Sequence, residues 1–583
     1  MKGQRARLCL VGALAGHLSA FAQDSHLVAQ PALPPACAVL IAQFAHGDDK
    51  LAGADDQQRI QQALDHCKPG HSVHLAPSNE WQVFVSGPVV PPPGVTLVVD
   101  PGATLYPSAD AAKAAAEDSK KRGPGRAVRP QLSASQVQRY SRQEVLAYAG
   151  PPGRETRDPW DPERDVFELR NAPADYEVGP TDQADGQRRF DRIQAAVNRA
   201  VLDAQASGRS RRIVIRIQPG IYRELVYVPA LNAPIALVGA GSKPENTLIS
   251  AKLDASVSGL DYAASVEPQF RHVAPDIRAM FDEVRARSNI TTFGSATVWS
   301  KNPGFALINL TIENAYQRET TASPGPCVED CRTPQPTVQH QAVALMLDGA
   351  DKSVAWDVEL RALQDTPYLK NPADGSTARS YFHHARIVGD VDFIFGDATA
   401  YFDQSEIVSL GSRKESYVAA PSTDLESRYG FVFDHCEFKN DGSPLALQGR
   451  YRLARQWFHN QRCTPYGTVP LEGYACSLGP TDQYATPRGT ISVATLRHVG
   501  KMVVLNSVLG SHISATHPWA EWNQSGKLSH RPVQRDAQDF SRHLKAALPG
   551  VEAAYFSEVK FDDLLPFLAE FNNTPAANTG ANL

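Results

Sequence analysis

Carboxyl and amide side chains recur at similar intervals along the middle of the chain. Gln341 precedes Asp365 by 24 residues, and Asp365, which follows Gln364, precedes Asp392 by 27 residues. One coil of a solenoid takes about 20–45 residues, and neighbouring parallel strands lie about 4.7–4.9 Å apart. The spacing therefore predicts that two carboxylates and two amides lie together on one face of stacked coils.

Such a group suits acyl transfer. Two carboxyl groups this close cannot both ionise easily, so one of them keeps a proton that it can donate. An arginine beside the other, for which Arg455 is the candidate, would keep that group anionic and nucleophilic. We expect a covalent acyl-enzyme on Asp392, formed without a metal ion. Any one of these residues alone would more often be structural, and it is their order and spacing together that favour catalysis.

The elements that must position these residues are short strands. Two segments open alike, with an amphipathic helical stretch at 58–64 or 190–197 followed by β-rich runs broken by Gly and Pro. A helix of this kind covers the apolar end of a stacked β core. Further strand signals occupy 309–313, 354–359, 385–388, 391–395, 429–433 and 501–506. A sandwich or barrel would favour tight Asn-Gly or Asp-Gly hairpins, which these strands lack. The fold class predicted is all-β, a parallel β-helix.

Six short motifs resemble those of the pectin methylesterases, in particular the bacterial branch of that family. They are Gln341–Leu345 (QAVAL), Gln364–Thr366 (QDT), Asp392–Gly396 (DFIFG), Leu453–Trp457 (LARQW), Pro219–Glu224 (PGIYRE) and Ser295–Val298 (SATV). The resemblance spans roughly residues 160–530. It implies a right-handed parallel β-helix, the pectin lyase-like solenoid, with a shallow cleft for homogalacturonan. An insertion around 253–290 and the close of the domain at 518–522 are similar to the bacterial branch.

The resemblance also implies a role for each matched residue. Asp392 corresponds to the nucleophile, and Asp365 to the general acid that protonates methanol and later activates water. Gln341 and Gln364 match the amides that donate to the oxyanion, and Arg455 matches the arginine that orients the nucleophile. The aromatic residues that match the sugar-binding positions of the family are Phe395 and Trp457.

The chain departs from the family pattern at two of these motifs. Pro367 follows the Gln-Asp-Thr motif where the family usually has Leu, and the motif around Arg455 lacks the usual Gly and Pro. Arg450, in Gly449-Arg450, is a competing match for the active-site arginine and a candidate for substrate binding. We favour Arg455, because it keeps the tryptophan two residues later.

Composition and the N-terminus narrow the class of protein. The 583 residues carry a net charge of −5, which gives no basic surplus for nucleic acid binding. Residues 1–22 combine basic residues, a short apolar run and a small-x-small site, the pattern of a secretory signal peptide. We therefore expect a secreted protein, in the medium or the periplasm, with no membrane span. Methyl-esterified pectin is the expected partner, and a monomer the expected state.

Cysteine spacing predicts disulfide bonds in the exported chain. Near neighbours in sequence are the natural pairs, and Cys436, in a strand-like run, is expected to be a free buried thiol. A zinc site is the rival interpretation, but the chain has no Cys-x-x-Cys pair and no His-Glu-x-x-His motif, so no metal or cofactor is expected. The predicted pairs are Cys37–Cys67, Cys327–Cys331 and Cys463–Cys476.

The sequence divides into five predicted segments. Residues 1–22 are the signal peptide and 23–110 a β-helix-like extension. Part of the extension, residues 37–110, resembles the opening coil of polygalacturonases but lacks their Gly-His-Gly turn. Residues 111–160 are expected to be a basic, solvated linker. Residues 161–540 form the predicted esterase domain, and 541–583 a helical segment followed by a polar tail.

Two other functions remain open from the sequence. One is an esterase or thioesterase that acts on another acyl substrate, and the other is an inactive β-helix that only binds polysaccharide. Activity on acyl-CoA without activity on methylated pectin would identify the first, and pectate binding without turnover the second. A serine hydrolase is disfavoured, because the chain has no Gly-x-Ser-x-Gly motif.

Overall fold

The computed structural model describes most of the chain outside the N-terminus and a few loops. The described residues are 34–45, 55–87, 89–100, 103–107, 129–316, 340–373, 375–457, 465–466, 477–478, 483–486, 489–523, 530–548, 550, 553 and 555–576. The chain forms two compact units, Met1–Arg126 and Ala127–Leu583. Within the described residues, no helix is both long and apolar enough to cross a membrane.

The first unit is a small β structure with one helix. Parallel strands Ala36–Ile41, His71–Ala76 and Val95–Val99 form one sheet, and Val83–Ser86 pairs with Thr104–Pro107 in a second. Helix Gln57–Asp65 buries Ile60 and Leu64. A disulfide joins Cys37 to Cys67, whose Cα atoms lie 5.8 Å apart. The other predicted pairs, Cys327–Cys331 and Cys463–Cys476, lie outside the described residues.

The second unit is a parallel β-helix, in agreement with the prediction. Its eight-stranded sheet, called here the cleft sheet, stacks one strand from each of eight coils in parallel. The strands of the cleft sheet are, in order, Val226–Val228, Val298–Ser300, Leu345–Asp348, Pro367–Lys370, Ile394–Gly396, Tyr417–Pro421, Arg452–Arg455 and Trp519–Ala520.

The other two faces of the β-helix form one continuous eighteen-stranded sheet, because the long strands Ala306–Asn314 and Ser353–Arg361 run through both faces. The remaining strands of this sheet are Tyr176–Val178, Arg189–Phe190, Ile213–Ile217, Gly220–Arg223, Ile235–Gly239, Thr247–Ala251, Arg379–His383, Arg386–Gly389, Thr399–Asp403, Glu406–Ser409, Phe431–Asp434, Glu437–Asn440, Met502–Leu505, Val508–Leu509, Leu568–Phe571 and Thr574–Pro575.

A single residue with positive φ turns the chain from one of these faces to the next. A left-handed conformation costs a residue with a side chain about 1–2 kcal/mol, and Asn and Asp tolerate it best because their side chains bond locally. Three of the residues at this corner are asparagines, and Asn572 donates to Asn506 in the neighbouring coil at 3.0 Å. The corner residues are Asn309, Asp357, His384, Gln404, His435, Asn506 and Asn572.

Helices cover the β-helix at its start and along its side. Helix Ile193–Ser207 begins within the predicted helical stretch and packs the apolar residues of one face onto the first coil. The insertion expected around 253–290 contains helices Gly259–Phe270 and Pro275–Arg285, followed by the short helix Thr291–Gly294. The other helical segments are Ala134–Val137, Gln138–Tyr140, Arg142–Val145, Pro162–Asn171, Thr181–Gln183, Pro244–Asn246, Ala446–Gln448, Val493–Arg497, Ala537–Ala547 and Phe561–Asp563.

Two short antiparallel sheets complete the described elements. Tyr148–Ala149 pairs with Thr156–Arg157, and Gln483–Thr486 lies between Ser477–Leu478 and Gly489–Ser492. The free thiol of Cys436 is buried in the β-helix, as its strand-like context indicates. The hydrophobic core runs along the inside of the coils and includes fully buried Trp299 and Tyr451.

The structure differs from the expected linker at its second half. From residue 129 onward the chain packs against the β-helix, because apolar side chains such as Tyr140 and Leu146 between the basic residues are buried there. Fully buried Arg379 donates to the carbonyl oxygens of Leu146 at 2.9 Å and Asp158 at 2.7 Å. The description as a solvated linker is therefore wrong for residues 129–160.

The expected C-terminal segment also differs from the structure. A helix does occur, at Ala537–Ala547, but the chain then returns to the solenoid. Leu568–Phe571 pairs in parallel with Met502–Leu505, and Leu568 and Ala569 are buried. The polar tail expected after the helix therefore does not follow it directly, because Leu568–Phe571 and Thr574–Pro575 form a last coil in which Leu568 and Ala569 add to the core.

Candidate active site

The predicted carboxyl and amide residues come together at a second corner of the coils. Gln341 pairs with Gln364, and Gln364 with Val391, in parallel bridges just before strands of the cleft sheet. Asp365 and Asp392 follow Gln364 and Val391 and both have positive φ, 70° and 49°. The stacking was predicted, but Gln341 is in register with Gln364 rather than with Asp365, one residue from the predicted match.

Arg455 holds Asp392 through two hydrogen bonds. Its Nε donates to Asp392 Oδ1 at 2.9 Å and its Nη2 donates to Oδ2 at 2.5 Å. The guanidinium lies over the rings of Tyr417 and Trp522, at 4.2 and 4.3 Å. The side chains of Arg455 and Asp392 are only 16% and 7% exposed. A planar fork of this kind fixes both the charge and the orientation of a carboxylate.

Asp365 lies in a different electrostatic environment. Its side chain is buried, and its Oδ2 accepts a hydrogen bond from the Thr292 hydroxyl at 3.3 Å. Burial and the nearby charge of Asp392 raise the pKa of Asp365 well above its usual range. A carboxyl group whose pKa is raised keeps its proton at higher pH than an ordinary aspartate, which is the property that a general acid needs.

A buried charged network lies behind Gln364. The Gln364 side-chain oxygen faces the backbone N–H of His340 at 3.3 Å and Arg413 Nη2 at 3.4 Å. Asp390 Oδ2 accepts from Arg413 Nε at 2.9 Å and from Ser412 at 2.7 Å, and His340 Nε2 lies 2.7 Å away. Burial alone would raise the pKa of Asp390, but the contacts with His340 and Arg413 outweigh it and lower that pKa.

A cavity of about 880 Å³ opens at this corner, within the size range of small-molecule binding clefts. Aromatic rings follow one another along its wall. Tyr368 stacks on Phe395 at 4.3 Å, Phe395 meets Trp457 edge-on at 5.9 Å, and Trp457 lies 6.5 Å from Trp522. Gln341, Gln364, Asp365, Asp392 and Arg455 line the same cavity.

Not every candidate from the sequence lies in the cleft. Arg450 is exposed and is not among the described residues that line the cavity, so it does not contribute to this group. Thr292, His340 and Arg413 had no sequence signal, because each acts through a contact with a residue 24 or more positions away. Trp522 lies in the segment 518–522 that closes the predicted domain, and its aromatic ring was the one feature of the sequence that suggested a role for it.

A second group of catalytic residue types occurs in the first unit. Ser72 Oγ lies 3.0 Å from His74 Nε2, and His74 Nδ1 lies 2.6 Å from Asp100 Oδ1. Ser72 is fully buried, however, and its hydroxyl donates to the Pro34 carbonyl oxygen at 2.7 Å. A nucleophile needs access to its substrate, so these contacts bind the first strand to the sheet rather than form a catalytic site.

Groups of at least three His, Cys, Asp or Glu side chains with metal-binding geometry are not found within the described residues. An anchored carboxylate, a second carboxyl group of raised pKa and side-chain amides can together attack an ester carbonyl, protonate the leaving group and stabilise the oxyanion.

Comparison with known proteins also indicates an ester hydrolase. A family profile described as Pectinesterase matches residues 279–464. Pectinesterase B of Dickeya dadantii (strain 3937) is 31% identical over 408 residues, 68% of this chain and 83% of that protein. The putative acyl-CoA thioester hydrolase YbhC of Escherichia coli (strain K12) is 30% identical over 57% of this chain and 74% of its own length.

Solved structures agree with the fold. The crystal structure of E. coli YbhC matches with a TM-score of 0.55 at 25% identity, over 78% of this chain and 96% of that one. The rice weevil pectin methyl esterase matches with a TM-score of 0.53 at 23% identity, over 78% and 98%. Together the fold and the comparisons define a carboxylic ester hydrolase on a parallel β-helix. The chain belongs to the pectinesterase family.

Proposed function

We propose that this protein hydrolyses the methyl esters of homogalacturonan to pectate and methanol through an acyl-enzyme intermediate on Asp392. The observation that carries the proposal is the two-bond contact from Arg455 to Asp392, set beside a second buried carboxyl group, Asp365, whose pKa is raised. Different environments for two neighbouring carboxyl groups assign them different roles.

In the first half of the reaction, a carboxylate oxygen of Asp392 bonds to the ester carbonyl carbon. The carbonyl oxygen becomes an oxyanion, to which the amides of Gln341 and Gln364 donate hydrogen bonds. When this intermediate collapses, the bond to the methoxy oxygen breaks. That oxygen takes the proton of Asp365 and leaves as methanol, and a mixed anhydride remains between Asp392 and the galacturonyl group.

In the second half, Asp365 acts as a general base, because it gave up its proton in the first half and is now a carboxylate. It takes a proton from a water molecule, whose oxygen attacks the galacturonyl carbonyl carbon. The anhydride bond breaks, and Asp392 leaves as a carboxylate that the Arg455 guanidinium again stabilises. Asp365 is protonated once more, so the cycle closes without a metal ion or cofactor.

The cleft supports a polymeric sugar as the substrate. Its volume of about 880 Å³ gives room for sugar rings. Its row of aromatic rings gives them flat surfaces on which to pack. We further propose that the protein is exported after cleavage of residues 1–22 and acts as a monomer, outside the cell or in the periplasm.

The test is methanol release from highly methyl-esterified homogalacturonan by the mature protein, with acyl-CoA as the competing substrate. Methanol release with little acyl-CoA hydrolysis is the expected result. Acyl-CoA hydrolysis without methanol would replace the proposal with a thioesterase. Binding of pectate without turnover of either substrate would replace it with a polysaccharide-binding role.

A further inference from the structure

Four residues from four successive coils meet behind the cleft. Each of them precedes one of four consecutive strands of the cleft sheet, and they are His340, Gln364, Asp390 and Arg413. Asp390 is fully buried, and the Arg413 side chain is 21% exposed. Arg413 Nε donates to Asp390 Oδ2 at 2.9 Å, and Arg413 Nη2 lies 3.4 Å from the Gln364 side-chain oxygen. The guanidinium therefore joins a buried carboxylate to an amide that lines the cleft.

The proton of His340 decides which acceptor Arg413 can reach. His340 Nε2 lies 2.7 Å from Asp390 Oδ2 and 2.9 Å from Arg413 Nη2. The contacts of Asp390 lower its pKa, so this group is an ionised carboxylate, which only accepts, and the imidazole proton lies on Nε2. A second proton, on the buried Nδ1, would find no acceptor among the described residues. Since Nε2 is a donor, Arg413 Nη2 cannot donate to it and is directed toward the Gln364 oxygen.

The neighbours of Gln364 determine which way round its amide lies. A side-chain amide has an oxygen that accepts hydrogen bonds and a nitrogen that donates them. On one side this amide faces two groups that can only donate, the His340 backbone N–H at 3.3 Å and the Arg413 guanidinium at 3.4 Å. A nitrogen placed there would bring donors against donors. The oxygen therefore takes this position, and the nitrogen is the end that can donate into the cavity, which Gln364 lines.

We propose that Arg413 is a positioning residue that holds the Gln364 oxygen, so that the amide nitrogen faces the oxyanion of the ester under attack. The inference rests on the proposed function for the role of this amide. An amide turned the other way would present its oxygen to a negatively charged oxyanion and raise the barrier. Because the buried Asp390 carboxylate anchors Arg413, the amide is oriented before the substrate binds and needs no reorganisation during the reaction.

The kinetic test separates turnover from binding. Methanol release by the wild type, Arg413→Met and Arg413→Lys is measured against pH, and kcat is compared on the plateau of each profile, since loss of a charge close to the site also shifts the profile. We expect Arg413→Met to lower kcat roughly 10- to 100-fold, as for loss of one hydrogen bond from a charged donor. KM should stay within about twofold, because the oxyanion forms only after the substrate has bound.

Arg413→Lys covers the case in which the methionine variant does not fold. Lysine keeps a positive charge beside the buried Asp390 carboxylate, but its single ammonium group cannot serve Asp390 and Gln364 as the guanidinium fork does. Its plateau kcat should fall between those of the wild type and Arg413→Met, about tenfold below the wild type. An unchanged plateau kcat in either folded variant would overturn the proposal.

A double-mutant cycle tests whether Arg413 acts through Gln364. In Gln364→Ala no amide is left to orient, so the addition of Arg413→Met should change kcat by less than about threefold. In Gln341→Ala the Gln364 amide is still present, so the addition of Arg413→Met should cost the full factor again. Equal losses in the two backgrounds would show that Arg413 supports the site in some other way and would overturn the proposal.

Arg129→Met is the matched control for loss of a buried ion pair. Arg129 Nε donates to the Glu570 carboxylate at 2.9 Å, and these side chains are 29% and 1% exposed, against 21% and 0% for Arg413 and Asp390. Arg129 is not one of the described residues that line the cleft. Both methionine variants should lower the melting temperature, but Arg129→Met should keep kcat within about twofold of the wild type. Equal losses of kcat in the two variants would contradict the positioning role.

Neutron diffraction from deuterium-exchanged crystals separates this inference from the proposed function, because it distinguishes an amide oxygen from an ND₂ group without any turnover. The expected result is a Gln364 oxygen that faces Arg413 in the wild type, and a reversed or mixed amide in Arg413→Met. A nitrogen that faces Arg413 in the wild type, or an unchanged amide in Arg413→Met, would overturn the proposal. Absence of methanol release would overturn the esterase function and leave this result to decide the orientation of Gln364.

Discussion

The role of Arg455 makes the sharpest prediction, because the sequence also offered Arg450. In Arg455→Met, Asp392 loses both hydrogen bonds and its countercharge while its side chain stays buried. Removing one partner of a buried ion pair costs about 3–5 kcal/mol. The whole cost falls on the ionised carboxylate, which is the reactive form. At about 1.36 kcal/mol for each tenfold change in rate, kcat/KM should fall roughly 10²- to 10⁴-fold.

Two further substitutions make the assay decisive. Arg455→Lys keeps the charge but loses one hydrogen bond to a charged group, worth about 1.5–3 kcal/mol, so it should lose roughly 10- to 100-fold. Arg450→Met, at an exposed position outside the cleft, should behave like wild type. The measurement is initial-rate methanol release, with circular dichroism as the check on folding. Comparable losses in Arg450→Met and Arg455→Met would refute the assignment.

Thr292→Val removes a hydrogen bond that lowers the pKa of Asp365, so the alkaline limb of the pH profile of kcat/KM should move to higher pH. Asp390→Asn removes a negative charge that raises this pKa, so the same alkaline limb should move to lower pH. Shifts in the same direction would contradict this electrostatic assignment. Burial lowers the pKa of His512 from 6.5 to about 3. As pH falls, His512 is therefore protonated in the unfolded chain before it is protonated in the folded protein. The melting temperature should fall as pH drops from 6.5 toward 3, and it should fall less steeply in His512→Gln. Parallel profiles of melting temperature against pH for the two proteins, measured by calorimetry, would disprove this. Asn314→Leu leaves the carbonyls of Leu253, Ser295 and Val343 without their shared donor and should destabilise the protein by about 3 kcal/mol or more, with an unchanged melting temperature as the contrary result.

Much of the fold could be predicted because stacked coils leave a periodic trace in the sequence. Each coil contributes short apolar strands, and the helix at Ile193–Ser207 buries its apolar face where a core end must be covered. The register of Gln341 could not be fixed by spacing alone. Coil length changes at the corners, where one residue with positive φ can replace a longer turn, so counting residues leaves an error of one position.

The parts that the sequence misjudged depend on distant partners. Residues 129–160 contain many arginines and were expected to be solvated, but Arg142 donates to the hydroxyl of Tyr381, in strand Arg379–His383 of the β-helix, at 3.2 Å. Leu568–Phe571 is too short for a periodic signal and is recognisable as a strand only beside Met502–Leu505. The network of His340, Asp390 and Arg413 joins residues 50 and 73 positions apart, for which a single sequence holds no signal.

The candidate site could be predicted from residue types because the proposed chemistry requires them. Two carboxyl groups, two amides and an arginine were all expected, and the structure brings these side chains to one cavity. The difference between the two carboxyl groups could not be predicted from spacing, since it depends on which of them Arg455 reaches and which of them stays buried without a cation.

The most direct test of the central claim is methanol release by Asp392→Asn beside the wild type on highly methyl-esterified homogalacturonan. Asparagine keeps the shape of the side chain but cannot form the acyl bond as a carboxylate does. We expect release by the wild type and none above background by the variant, which should keep the circular dichroism spectrum of a folded β-helix. Methanol release by folded Asp392→Asn at a rate near that of wild type would contradict the account.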